Sequence, residues 1–213
     1  MERRIQNKCS IVEKYLNTLE LYVIMSNETT SEEVRNIVVC RKHDMLLEKK
    51  KGADIFYLRF SSQNKGLKIR NVINFKLYDL IATLNKDVIE RAEIGNEIPG
   101  KSIDVLFVFK PFGTELGIAQ KYMFFRTLLE EDGDNIIMTS KSIPYPGGIH
   151  KCEAITSNYA QLNVIGKASS AVDVGYIFHM EMTDDLPTYM ENIAGLLMKK
   201  MFYRVKQFIE NIK

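Results

Sequence analysis

The chain holds three histidines, His43, His150 and His179, and three cysteines, Cys9, Cys40 and Cys152. No histidine stands in an HExxH or related metal-binding spacing, and the cysteines do not bracket any of them, so no metal site is expected. The odd number and wide spacing of the cysteines exclude a disulfide framework and a CxxC zinc site. The patterns GxSxG, GxGxxG and GxxxxGKS/T are absent, which leaves no nucleophile elbow, dinucleotide loop or phosphate loop. Glu130-Glu131-Asp132 falls at a turn and Asp184-Asp185 at a helix start, where carboxylates are solvated or cap backbone amides. Lys49-Lys50-Lys51 sits at a hairpin turn, either solvated or touching an anionic surface. His179 alternates with apolar neighbours at a strand end, as a satisfied, partly buried histidine or as a ligand contact. Lys151 and Glu153 share a strand face, as a rim ion pair or as a polar contact for a ligand. No catalytic residue emerges, and no cofactor is implied.

Composition narrows the classes further. The 213 residues are 46% apolar and 26% charged, ordinary globular values. Folded as one domain, such a chain buries roughly 70% of its unfolded surface. The 29 basic residues against 27 acidic ones give a net charge of +2, without the concentrated basic excess of a nucleic-acid binder. No run approaches the length of a membrane span. The opening MERRIQNK has no apolar region behind it, so no signal peptide is expected. A reduced, soluble, cytoplasmic protein follows as the expectation.

The periodicity predicts the elements that must carry any site. Ile5, Cys9, Val12, Leu16 and Leu19 predict an amphipathic helix over 3–25, packed over a domain end or free for a membrane surface or partner. Thr30 and Glu33 form a capping-box spacing before a short helix over 31–40. From Met45 the period changes to strand, Gly52-containing turn and strand through Phe60, then a further strand over 67–73. Asn74 is placed to cap a helix carrying Leu77, Leu80, Ile81 and Leu84. A strand over 103–109 precedes Pro111 and Gly113. A hairpin over 122–142 turns at Glu131-Asp132-Gly133-Asp134. Pro144, Pro146, Gly147 and Gly148 make a loop, and strands follow over 151–155, 159–165 and 172–180. The last element is a helix over 186–212, about 40 Å long. Asp184 and Asp185 stand at its positive end and Pro187 lies in its first turn. Met190, Ile193, Leu197, Met201, Val205, Phe208 and Ile212 line one face of it, widened by Ala194, Met198, Phe202 and Ile209. Ile103, Val105, Phe107 and Phe109 share a strand face, as do Met123, Phe125, Thr127 and Leu129. Val172, Val174, Tyr176, Phe178 and Met180 do the same, as a sheet packed on a helix requires.

Helices, strands, one embedded helix, many antiparallel strands and a closing helix make the order of the helix-grip architecture. The chain resembles the START (StAR-related lipid-transfer) family. The resemblance is carried by the stretch from Glu181 to Asn192: an acidic residue six positions before Pro187, then Tyr189, Met190 and Asn192. Lys121-Tyr122-Met123-Phe124-Phe125-Arg126 resembles a strand that in the family opens with Arg-Asp, here Gln120-Lys121. Gly148-Ile149-His150-Lys151-Cys152-Glu153 resembles the family's Gly-x-x-Arg-x-Glu, with Lys151 for the arginine. The family's common tryptophans are absent, since the chain has none.

The resemblance covers residues 45–213 and implies an α+β fold. A curved antiparallel sheet would be closed by the C-terminal helix over a hydrophobic cavity, with additional N-terminal helices, in a single domain spanning 1–213. It implies one bound lipid, phospholipid or sterol, in a non-enzymatic, monomeric protein that meets membranes transiently and peripherally. The lipid contacts it implies are Val105, Phe107, Phe125, Met138, Lys151, Tyr176, Phe178, Met180, Met190, Ile193, Leu197 and Met201. In the loop 109–113, Phe112 would dip into a membrane and Lys110 would meet headgroups. Two other functions remain at this point: an enzyme of the cyclase or hydrolase kind on the same scaffold, using His179, Glu181 or Tyr176, and an interaction module with a vestigial cavity.

Overall fold

The computed structural model describes residues 36–64, 69–112, 118–157, 159–167, 171–180 and 192–212. The contacts of the chain divide it into residues 1–35 and 36–213, and the sheet and helices belong to the second unit. The helix expected over 3–25, the capping box at Thr30, and the motif at Glu181–Met190 with Asp184, Asp185 and Pro187 lie outside the described residues. So does much of what a single domain over 1–213 would rest on.

Ten strands form one sheet in the order β1-β2-β3-β10-β9-β7-β6-β5-β4, with β8 beside the start of β6. They are β1 Asn36–Lys42, β2 Met45–Lys50, β3 Ile55–Gln63, β4 Ile89–Ile98, β5 Ser102–Phe109, β6 Gln120–Asp132, β7 Asn135–Ser142, β8 Cys152–Ala154, β9 Ala160–Gly166 and β10 Ala171–His179. Every pairing is antiparallel except β6 with β8. The sheet is open, and β1 and β4 are its edges. Helix α1, Lys76–Leu84, lies between β3 and β4 in sequence, and helix α2, Ile193–Asn211, ends the chain. The α+β class and the grip of a terminal helix on an antiparallel sheet are as the sequence predicts.

Three expectations change. Residues 36–40, expected in a helix, belong to strand β1. The β-branched run Ile37-Val38-Val39 favours the extended chain, and β1 returns to β2 through His43 and Asp44, both at positive φ (57° and 56°). That is the left-handed pair of a type I′ hairpin turn, here built without glycine. The strand expected over 67–73 is instead a 3₁₀ turn at Ile69–Asn71 in its described part. Ile69 and Ile73 are both buried, and the Ile73 N–H donates to the Ile69 carbonyl at 2.9 Å, so their spacing is that of a helical turn. Strand β4 was not foreseen. Its sequence IERAEIGNEI is polar because it is an edge, with only Ile89 fully buried.

The hairpin at 131–134 forms as expected. Asp132 pairs with Asn135 around Gly133, whose φ of +60° suits the first position of a type II′ turn. Asn74 also serves α1, since its Oδ1 accepts from the Lys76 N–H at 2.8 Å. Its neighbour Phe75 occupies the N-cap position itself.

The inward faces of β5, β6 and β10 are those read from alternation, and they join α1 and α2 in one core. Leu106, Val108 and Tyr122 face the other side, under Tyr145 and Ile149 from the 143–149 loop. Helix α2 buries Ala194, Gly195, Met198, Met201, Phe202, Val205 and Ile209. Phe208, expected within the stripe, is 40% exposed, so the stripe is rotated toward Ala194, Met198 and Phe202. Gly195 lets the helix approach closely, because a Cβ there would stand 2.6 Å from the Phe56 ring. The far end of the helix is held by buried Asn64, whose amide donates to the Ile212 carbonyl at 2.9 Å. Lys199 and Lys206 are buried along their stems. Their ammonium groups reach the Lys42 carbonyl (3.1 Å) and Glu210 (2.6 Å).

Candidate functional site

Two adjoining spaces lie under α2. The outer one has a volume of about 320 Å³, at the lower end for small-ligand pockets. Its apolar walls include Phe109, Ile155, Met180, Ile193 and Leu197. The inner one is about 50 Å³ and runs between α1 and the sheet, past Leu77, Ile81, Phe107, Phe125 and Leu162. Phe109, Met198 and Met201 border both spaces.

The mouth of the outer space is set by backbone pinning. The Lys110 N–H donates to the Val88 carbonyl at 2.8 Å, and the Gln120 side-chain amide donates to the Phe109 carbonyl at 2.8 Å. These bonds fix the root of the loop that carries Pro111 and Phe112. Phe112 is 56% exposed while it also lines the space. Charge gathers around this opening. Asp87, at the end of α1, accepts from Lys200 of α2 at 2.8 Å and from Arg204. Those two cations, Arg204 foremost, hold its carboxyl well below the usual carboxylate range. Arg204 also donates to Asn85 Oδ1 at 3.1 Å, so the α1 terminus and α2 are tied beside the mouth. Lys121 lines the space too and pairs with Glu153 at 2.6 Å.

The inner space holds hydroxyls. Tyr78 of α1 meets Thr127 at 2.6 Å and Ser140 at 3.4 Å, and Thr127 meets Ser140 at 2.7 Å. Burial pushes the Tyr78 phenol up, against the opposing pull of the two hydroxyls. Tyr176 shares this space, with its pKa raised by burial and by Tyr78 nearby.

Of the residues singled out in the sequence, Met180, Ile193, Leu197, Met201, Lys110 and Phe112 meet at the outer space. Phe107, Phe125, Tyr176 and Met201 meet at the inner one. Val105, Met138 and Phe178 are fully buried but border neither space, and so form the layer behind the walls. Met190 and Glu181 lie outside the described residues. Lys151 sits at positive φ (62°) before β8, and the partner of Glu153 is Lys121, which replaces the expected Lys151–Glu153 pair. His179 falls on the alternate strand face from Tyr176, Phe178 and Met180 and borders neither space. Its Nδ1 is buried without a hydrogen-bond partner among the described residues. Sequence reasoning missed α1 as a wall, the Tyr78–Thr127–Ser140 chain and the Asp87 tie. The only signal for the first was the 77–81 periodicity. Among the described residues no cluster of His, Cys, Asp or Glu is arranged to hold a metal.

No family model and no curated protein matches this chain. Solved structures do. The human StarD13 (DLC2) lipid transfer and protein localization domain superposes with a TM-score of 0.64 at 8% identity, over 92% of this chain and 97% of that one. Human STARD10 gives 0.63 at 11% identity, over 82% and 74%. A STAR-related lipid transfer protein from Xanthomonas axonopodis gives 0.60 at 13% identity, over 82% and 98%. At these identities the likeness establishes the fold: the chain has the helix-grip architecture of START domains.

Proposed function

We propose that this protein binds one lipid, a phospholipid or a sterol, in the cavity under α2 and carries it between membranes. The observation that carries the reading is the apolar space of about 320 Å³ between helix and sheet, opening beside an exposed aromatic. Each methylene moved from water into such walls gains about 0.8 kcal/mol. Outer-space residues Met180, Ile193, Leu197 and Met201, with Phe107, Phe125 and Tyr176 deeper in, are the lipid contacts. Met190, and Val105, Met138 and Phe178 behind the walls, join them if the cavity widens around its ligand. Lys151 is left without a role at the cavity.

Transfer requires opening and closing, with no chemical step. Helix α2 and the 109–112 segment serve as the gate, with Phe112 entering the interface and Lys110 meeting headgroups. This is a peripheral, monomeric mode of action in the cytoplasm, with no nucleic-acid partner. No helix among the described residues is long and apolar enough to cross a membrane, in keeping with it.

Purified protein, extracted and analysed by mass spectrometry, should yield one lipid per chain. It should also accelerate movement of a fluorescent lipid between vesicles. An empty protein that neither takes up nor moves any lipid would refute the reading.

A further inference from the structure

We infer that the free edge of β1 is a docking site for an extended segment of a partner protein, with an apolar middle and acidic residues at both ends. The inference stands apart from the lipid reading, since no residue of β1, β2 or β3 lines either space under α2.

The open sheet has two edges, β1 and β4. An edge strand leaves a row of backbone N–H and C=O groups unpaired, and folded proteins guard such rows with charge, irregular pairing or cover. Edge β4 is guarded: it carries Glu90, Arg91, Glu93 and Glu97, and its pairing with β5 shifts register twice. Edge β1 has one register shift, between Val38 and Cys40, and no charge before Arg41. Its middle is the β-branched run Ile37-Val38-Val39, in which Ile37 and Val38 are each 52% exposed. These two lie on opposite faces, beside Lys49 and Glu48 of β2, so apolar surface flanks the free rim on both sides.

The edge is also fixed in advance. Val39 and Cys40 pack on the core. At the turn end, the Lys42 carbonyl accepts from Lys199 of α2 at 3.1 Å, and His43 stacks on Tyr203 of the same helix at 4.4 Å. A rim held in this way loses little freedom when a strand adds to it, and main-chain bonds then supply affinity.

Charge sets the chemistry of the partner. Arg41 and Lys42 end the strand, while Lys50 pairs with Asn36 at its start and Lys51 follows. None of these four cations has an ion pair among the described residues. Of the acids in the hairpin, Glu48 pairs with Arg59 and Asp54 with Lys49, which leaves Asp44. An added strand with an acid at each end of a stretch of about seven residues therefore meets a cation at each end, and basic ends are repelled. An anionic membrane would meet the same cations, but it makes no use of an unpaired backbone rim.

The test titrates the full chain with the acetylated and amidated peptide Glu-Thr-Val-Thr-Val-Thr-Glu, read by calorimetry and by hydrogen exchange. Binding should slow exchange of the backbone amides over 36–42. A copy of the peptide N-methylated along its backbone should not bind. Val38→Pro places a ring on the strand, and Arg41→Glu with Lys42→Glu reverses the charge at one end. Each should weaken the acidic peptide about tenfold or more. The charge-reversed variant should in turn prefer the same peptide with lysine at both ends, and it carries the test should Val38→Pro melt early. No binding of the acidic peptide, or binding that leaves exchange over 36–42 unchanged, would overturn the inference. Binding to vesicles of phosphatidylcholine and phosphatidylglycerol that is lost on charge reversal, with the peptide ignored, would overturn it in favour of a membrane contact. A concentration-dependent dimer abolished by Val38→Pro, again with the peptide ignored, would overturn it in favour of a second copy of this chain.

Discussion

Replacing Gly195 with alanine tests the seat of the closing helix. The new Cβ would stand 2.6 Å from two carbons of the Phe56 ring and 3.3 Å from a Leu47 methyl. Carbon atoms rest at about 3.5–4.0 Å, so the shortfall is about 1 Å. Phe56 cannot swing aside, because it is 1% exposed and stacked on Phe178 at 5.3 Å. The helix must lift instead. Overpacking of this kind costs about 1–3 kcal/mol, while alanine recovers up to about 1 kcal/mol of helix propensity over glycine. A shortfall of about 1 Å against a ring that cannot move falls in the upper half of that range, so the net loss is about 1–2 kcal/mol. At about 2–4 °C per kcal/mol for a chain of this size, Tm falls by about 2–8 °C. The same lift disturbs Ala194, Leu197 and Met198, which line the outer space, so a bound fluorescent lipid should also leave faster on dilution. Calorimetry and a release assay on the same preparation read both effects. A Tm equal to or above that of the unmodified protein would refute the reasoning, since helix propensity would then outweigh a contact that close.

Met201→Asp places a carboxylate at the junction of the two spaces, in a position 3% exposed; lipid binding should be lost, and full affinity in a variant with native circular dichroism would remove this helix face from the site. Phe112→Ala should slow vesicle-to-vesicle transfer several-fold while equilibrium affinity for a soluble short-chain lipid holds. Any Lys110 contribution on anionic vesicles should fade with salt, because exposed charges are screened within about 8 Å; normal transfer from neutral and anionic vesicles alike would move the gate to residues 142–148. The Asp87 tie sets an acid response: its folded-state pKa is lowered, so what it contributes is present above the unfolded value of about 3.9 and is lost as pH falls below it. Lipid release should therefore be flat between about pH 7 and 5 and rise below about pH 4, and a response that persists in Asp87→Asn would assign it to other carboxylates. A fragment starting at residue 45 lacks β1 and bares the β2 edge, so it should melt below the full chain; an unchanged Tm would show that β1 and everything before it are dispensable.

Much of this architecture is written in local pattern. The alternation 172–180 and the bulky inward faces of β5 and β6 are consequences of a two-residue period on a sheet with one wall against helices. The hairpin at Gly133 and the cap at Asn74 are set by residues whose backbone chemistry is local. Elements defined by their neighbours were not legible. Strand β4 is polar because it is an edge, and the His43–Asp44 turn uses left-handed residues that carry no glycine signal. His43 stacks on Tyr203 of α2 at 4.4 Å, a contact across most of the chain's length. The site divides in the same way. Met180, Ile193, Leu197 and Met201 could be named from their stripes, because a cavity wall and a dry core use the same residues. Whether Val105, Met138 and Phe178 meet a space or stand behind one depends on how the helices pack on the sheet, which periodicity does not encode. Tyr78, Thr127 and Ser140 are 49 and 13 residues apart along the chain. Asp87 and Arg204 are separated by 117. Only the folded chain brings such groups within hydrogen-bond reach, because empty volume and long-range polar pairing are properties of the packed whole.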